Sequence, residues 1–293
     1  MMSVNSGISE LESMVRARGL RISRINPEEG LLLPESGREG DIKAYRATLD
    51  HYAARLLLKE VIKANTPEKW MKGRRQVERF CDSSAVDEFL SRFADLRVLK
   101  VSEEGVPVPF KPVYSFGPTY EWYAARVLKE DFSCPSAWGV TFGDHGSGGD
   151  HDVIASLAGR FLYMEVKTSP PGRIEPPEIG GFVRRLIDIA PDVAIFNNDT
   201  HLRMIDKVVP YMEEAIQQSE TQRPKAPEEN RDTKPASASS AAPRQRFVRL
   251  EREIFHLKGS VYIINSKPDL KRNLEVVFRH YTRLRSRVLE SLV

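Results

Sequence analysis

Cysteine is nearly absent: Cys81 and Cys134 are the two in 293 residues. Two cannot build a disulfide framework, and a four-cysteine zinc site is excluded. No apolar run approaches the roughly 20 residues of a membrane helix, so no membrane partner is expected. The first residues, MMSVNSGISELESM, lack a basic stretch followed by an apolar core. No signal peptide is read, and a cytoplasmic location is expected. Neither sign of charge dominates: 44 Lys and Arg against 41 Asp and Glu leave +3. That total decides little, because a basic face can hide in a balanced sum. Residues 217–246 have no aromatic, Val, Ile, Leu or Met, and prolines at 224, 227, 235 and 243. Such a stretch buries too little apolar surface to offset its ordering entropy, so a disordered insertion is expected there.

What is present describes a globular chain. Hydrophobic residues make up 41%, enough for one large or two ordinary domains. Residues 1–40 read as an N-terminal extension with a short helix near 8–18. The segment 26–40, with Pro27, Pro34, Gly30, Gly37 and Gly40, reads as a loop. From Ile42 to Ile62 one long helix is predicted, since Tyr45, Leu49, Tyr52, Leu56 and Val61 recur at helical spacing. Thr66-Pro67 marks a second helix start, and Asp82-Ser83 a third, with Val86, Phe89, Leu90 and Phe93 facing inward. LRVLKV, the turn EEG and VPVPF then predict a β-hairpin. Helices followed by a hairpin resemble a winged helix-turn-helix over roughly 41–114.

Residues 115–293 alternate. A helix is predicted from Pro118 to about Lys129, then strands at 138–142, 151–157 and 160–168. A helix at 178–189, a strand at 193–197 and a helix at 201–217 follow. Beyond the insertion come a strand at 261–265 and a helix from Leu270. This alternation points to an α/β sheet covered by helices. The last helix carries Lys271, Arg272, Arg279, Arg283, Arg285 and Arg287 on its outer face.

The chemistry concentrates in GGDHDVIASLAGRFLYMEVKTS, residues 148–169. Read as a hairpin, LAGR supplies the turn, with Gly159 free to take positive φ. Alternate strand residues share a face, so Phe161, Tyr163, Glu165 and Lys167 line one side. Asp152 starts the other strand at a similar distance from the turn, so its carboxylate converges on Glu165. Close carboxylates repel, and a divalent cation removes the conflict. Hard Mg²⁺ takes oxygen ligands from a few carboxylates, waters and phosphates. Such an ion acidifies water and polarises a phosphoryl oxygen, while Lys167 could orient the water or stabilise the transition state. Glu121 shares a helix face with Ala125 and Leu128 and should point inward as a third acid.

Glu on a helix, Asp opening a hairpin strand and Glu-x-Lys on the next strand resemble the PD-(D/E)xK nuclease superfamily. GGDHDV followed by MEVK is similar to its branch with Gly-x-Glu/Asp-x-Asp-Val and Glu-x-Lys. The resemblance implies a restriction-endonuclease-like mixed sheet flanked by helices. It implies Asp152, Glu165 and the main-chain carbonyl of Val166 as ligands of Mg²⁺ or Mn²⁺, Lys167 as catalytic lysine and Glu121 as assisting acid. His151 stands where the family's proline would be, and Asp150 competes with Asp152 for the metal.

The expected function is therefore metal-dependent hydrolysis of phosphodiesters, in DNA ahead of RNA, in defence or repair. Lys72, Arg74, Arg75, Arg184 and Arg185 are candidate nucleic-acid contacts. Arg184 and Arg185 could instead be a solvent face, which is the slightly favoured reading. A His/Asp zinc site within residues 143–152 is a weaker alternative. Two other classes stay open: an inactive nucleic-acid-binding or assembly protein, and a winged-helix transcription regulator. The helical module could also be a dimerisation surface, giving a homodimer.

Overall fold

The computed structural model describes residues 3–143, 149–221 and 246–290. Ten strands are described: β1 (Arg21–Ile25), β2 (Leu99–Val101), β3 (Pro107–Pro109), β4 (Ser136–Gly143), β5 (His151–Leu157), β6 (Arg160–Lys167), β7 (Val193–Asn198), β8 (Val248–Glu251), β9 (Ile254–Leu257) and β10 (Val261–Asn265). Apart from the β2–β3 hairpin they form one sheet, ordered β1-β4-β5-β6-β7-β10-β9-β8. β6, β7 and β10 run parallel, and the flanking pairs are antiparallel. The fold is thus α/β with a large mixed sheet.

Helices cover both faces: α1 (Ser3–Arg16), α2 (Glu39–Leu49), α3 (Tyr52–Lys63), α4 (Pro67–Val77), α5 (Ser83–Asp95), α6 (Gly117–Phe132), α7 (Pro176–Ile189), α8 (Val208–Thr221) and α9 (Leu270–Glu290). The strands sort their side chains by the two-residue period. In β6, Leu162, Met164 and Val166 join a core shared with α2–α6 and α9. Phe161 and Tyr163 join the opposite core, under α1, α7 and α8. The helices of 39–95 therefore bury their apolar stripes in the same core that covers one sheet face.

Local chemistry sets several boundaries. Thr66 caps α4 by accepting from the Lys69 N–H, and Asp82 caps α5 by accepting from the Ala85 N–H. Glu175 and Glu178 form a capping box on α7. The β5–β6 turn places Ala158 and Gly159 at φ 49° and 74°, the pair of positive φ values that a tight hairpin turn requires.

Some elements differ from the expected ones. The long helix over 42–62 is two, broken at Asp50-His51, because buried Arg55 takes the carbonyls of Leu49 and Asp50 that a continuous helix would use. The apolar spacing carries on across the break. Within residues 1–40, Arg21–Ile25 is an edge strand paired with β4; its two arginines hid it, and charge is what protects such an edge. The short hairpin β8–β9 was likewise not anticipated. Helix α8 begins at Val208 rather than 201 and extends to Thr221, into the segment expected to be disordered. The remainder of that segment, 222–245, lies outside the described residues, as do Asp144 and His145 of the considered zinc loop.

Candidate active site

The β5–β6 register places Val153 opposite Met164 and Ile154 opposite Tyr163. One step further brings Asp152 opposite Glu165. Glu165 shares the face of Tyr163, under α7. Asp152 does not simply cross the strand gap: its Oδ2 accepts from the Val166 N–H at 2.7 Å. That bond closes the hairpin at its open end and fixes the carboxylate beside Glu165.

Glu165 is 1% exposed, so its charge must be answered. Its Oε1 accepts from Lys167 Nζ at 2.8 Å and its Oε2 from Arg185 Nη1 at 2.8 Å. The Tyr163 hydroxyl donates to the same Oε2. Burial raises the Glu165 pKa, but Lys167 and Arg185 overcome that and hold the carboxyl below its ordinary value. Burial lowers the Lys167 pKa, and Glu165 more than reverses this, keeping the ammonium charged.

The other two acids are pushed the opposite way. Asp152 is raised well above the ordinary carboxylate range, by burial and by the charges of Glu165 and Glu121. Glu121 reaches in from the start of α6, flanked by buried Tyr120 and Trp122. Burial and the charges of Asp150 and Glu165 raise it to about 7. Such mutual repulsion means that these carboxylates occupy one electrostatic site.

Asp150 and Asp152 are now distinguishable. Asp150 Oδ2 accepts from Asn26 Nδ2 at 2.6 Å, just beyond β1. Asp152 lies beside Glu165. Asp150 is thus held by Asn26 while its charge still acts on Glu121, and Asp152 is tied to the Val166 N–H beside Glu165. His151 is buried between Phe142 and Tyr163, with Nδ1 on the Val140 carbonyl. Burial lowers its pKa, which keeps the ring neutral.

The candidate nucleic-acid residues divide. Arg184 is exposed. Arg185 is not a solvent-face residue: it turns inward onto Glu165. The signal was in the sequence, since Arg185 lies three residues from Phe182 and four from Ile189, both buried. Lys72 and Arg75 are exposed on α4. Arg74 is engaged within the chain, with Glu78, Asp87 and Ser83.

Behind the site lies a group that sequence reading missed. Asp199, at the exit of β7, is 1% exposed. It accepts from Arg55 Nε at 3.0 Å and Nη2 at 2.8 Å, and Lys59 Nζ lies 2.6 Å from its Oδ2. Arg55 is also stacked about by Tyr52, Tyr120 and Tyr123. Burial would raise the Asp199 pKa, but the two cations depress it strongly. The Asp199 N–H donates to the Lys167 carbonyl at 2.7 Å, so this network holds the backbone that carries the site lysine. No short motif announces it, because Asp199 lies 140 or more residues from both cations.

The donor set suits a hard cation. Carboxylates and the Val166 carbonyl are all oxygen donors, as Mg²⁺ and Mn²⁺ prefer. Among the described residues, no three or more His, Cys, Asp or Glu side chains group closely enough to hold a metal alone.

No family model matches the chain, and no curated protein matches it. Among solved structures, the chain is similar to the crystal structure of protein VC1899 from Vibrio cholerae, at TM-score 0.40 and 12% identity. The match covers 70% of this chain and 55% of that one, so this chain spans about half of that protein's length. A likeness this distant carries no argument about function.

Proposed function

We propose that this chain is a metal-dependent nuclease of the PD-(D/E)xK type, hydrolysing phosphodiester bonds in nucleic acid, DNA ahead of RNA. The observation that carries the reading is the convergence of Asp152, Glu165 and Lys167 at one end of β5 and β6, with Glu121 brought in from α6. A binding module gains little from burying three mutually repelling acids around one lysine. The strand–strand–strand–helix–strand order of β4–β5–β6–α7–β7, entered through α6, supports a restriction-endonuclease-like core.

Asp152, Glu165 and the Val166 carbonyl would hold Mg²⁺ or Mn²⁺, with Glu121 or Asp150 assisting. The ion would supply an acidified water and a polarised phosphoryl oxygen. The chain's own groups do the rest. Lys167 places an ammonium where it can orient the water and meet negative charge developing on phosphorus. Glu121, with a pKa of about 7, is poised near neutrality to take a proton from that water. Arg185 and Tyr163 fix the Glu165 carboxylate so that it cannot swing away.

Helices α4 and α5 followed by the β2–β3 hairpin support a winged-helix-like reading for that region. Its exposed Asp87 and Glu88 suit protein contact better than phosphate. A cytoplasmic setting accords with a nucleic-acid substrate. The test is cleavage of plasmid, linear and single-stranded DNA and of RNA with Mg²⁺ or Mn²⁺. Lys167→Ala and Asp152→Ala should each lower the rate by about 10²–10⁴-fold. No cleavage by the wild type, or cleavage indifferent to both substitutions, would end the enzyme reading.

A further inference from the structure

A cleft of about 490 Å³ opens between α3 and α4 on one side and the loops leaving β6 and β7 on the other. Its floor reaches Thr168, the residue after Lys167, and Asp199. Six of its lining side chains are basic, Lys59, Lys63, Lys69, Lys72, Arg79 and Arg173, against Glu60 and Asp199. The acids are already matched: Lys59 pairs with Asp199 at 2.6 Å and Lys63 with Glu60 at 2.7 Å. Lys69, Lys72, Arg79 and Arg173 remain, all exposed. None of these four has a carboxylate partner among the described residues; Arg79 reaches only Gln76, at 3.2 Å.

We infer that this cleft is the phosphodiester-binding track that leads a nucleic-acid strand to Lys167. The inference rests on the nuclease reading for its substrate class. Three of the four cations come from one stretch, 69–79, which at helical rise covers roughly 15 Å. Each strand of a duplex carries one charge every ~3.4 Å, so that length faces about four phosphates. Arg173 closes the track from the sheet side, three residues past Pro170. Four unmatched cations around one cavity are a cost to the folded chain unless a polyanion enters. Phe80, 39% exposed at the rim, offers a ring on which an unpaired base can stack. Arg74 takes no part, because Asp87 and Glu78 already occupy it.

The test is binding in EDTA, where a metal-dependent enzyme cuts nothing. Fluorescence anisotropy with labelled duplex DNA, single-stranded DNA and RNA compares three proteins. They are the wild type, the fourfold variant Lys69→Gln, Lys72→Gln, Arg79→Gln, Arg173→Gln, and a control with Arg279→Gln and Arg283→Gln on α9. All six positions are exposed, so equal thermal melting is expected. The cleft variant should bind at least about tenfold more weakly at about 100 mM salt, and its log–log salt slope on duplex should shrink by about 3.6. The α9 control should bind as the wild type does. Wild-type affinity and slope in the cleft variant would overturn the inference. So would an equal loss in the control, or no binding by the wild type. A wild type that binds through the cleft but cuts nothing with Mg²⁺ or Mn²⁺ would end the nuclease reading and leave the cleft standing.

Discussion

Glu165 is answered by more positive charge than its own, since both Lys167 and Arg185 reach it. Removing one cation leaves a buried carboxylate short of partners, which costs several kcal/mol. Arg185→Ala should therefore lower unfolding free energy by about 2–4 kcal/mol, and exposed Arg184→Ala by less than about 0.5. Urea denaturation of the two variants checks the contrast. Glu121 gives a pH signature. Its pKa rises from 4.5 in an ordinary chain to about 7 in the fold, so the folded state holds the extra proton between those values. Stability then falls as pH rises through that window. Without divalent ions, Glu121→Gln, which mimics the protonated acid, should flatten that part of the Tm–pH curve. A slope like the wild type's would place Glu121 outside the acid cluster.

At the scale of elements, the site depends on how β1 and β4 meet. Gly139 on β4 lies against Asn26, the residue that holds Asp150. A Cβ at position 139 would fall 2.6 Å from Asn26 Cβ and 2.4 Å from its Nδ2. The backbone there also has φ +57°, which side chains rarely tolerate. Gly139→Ala should cost about 1–3 kcal/mol and release Asp150. Thermal melting reads the first effect, and a changed Mg²⁺ requirement for cleavage reads the second. The hairpin β5–β6 was legible beforehand, because turn residues and strict alternation specify it locally. The edge strand β1 was not, because RISRI carries little apolar signal and is a strand only by virtue of its partner β4.

At the scale of the molecule, Asp199, Arg55 and Lys59 tie α3 to the exits of β6 and β7. Asp199→Asn would leave two cations buried without a counter-charge. A loss of about 3–5 kcal/mol is expected in urea. Because the Asp199 N–H holds the Lys167 carbonyl, activity should fall with stability even in the folded fraction. Single-turnover cleavage by protein kept well below its unfolding midpoint tests this.

The sequence alone determined the local facts: the caps of α4 and α5, the β5–β6 turn, and Glu165 and Lys167 on one strand face. These follow from backbone periodicity and turn chemistry, which act over a few residues. Tertiary structure decided which charges meet. It turned Arg185 onto Glu165, gave Asp150 to Asn26 and Asp152 to the Val166 N–H, and joined Arg55 to Asp199 across 144 residues. Burial makes these pairings strong, because charges removed from water must find each other. Which residues are buried together is a property of the packed sheet and its helices, not of any single stretch.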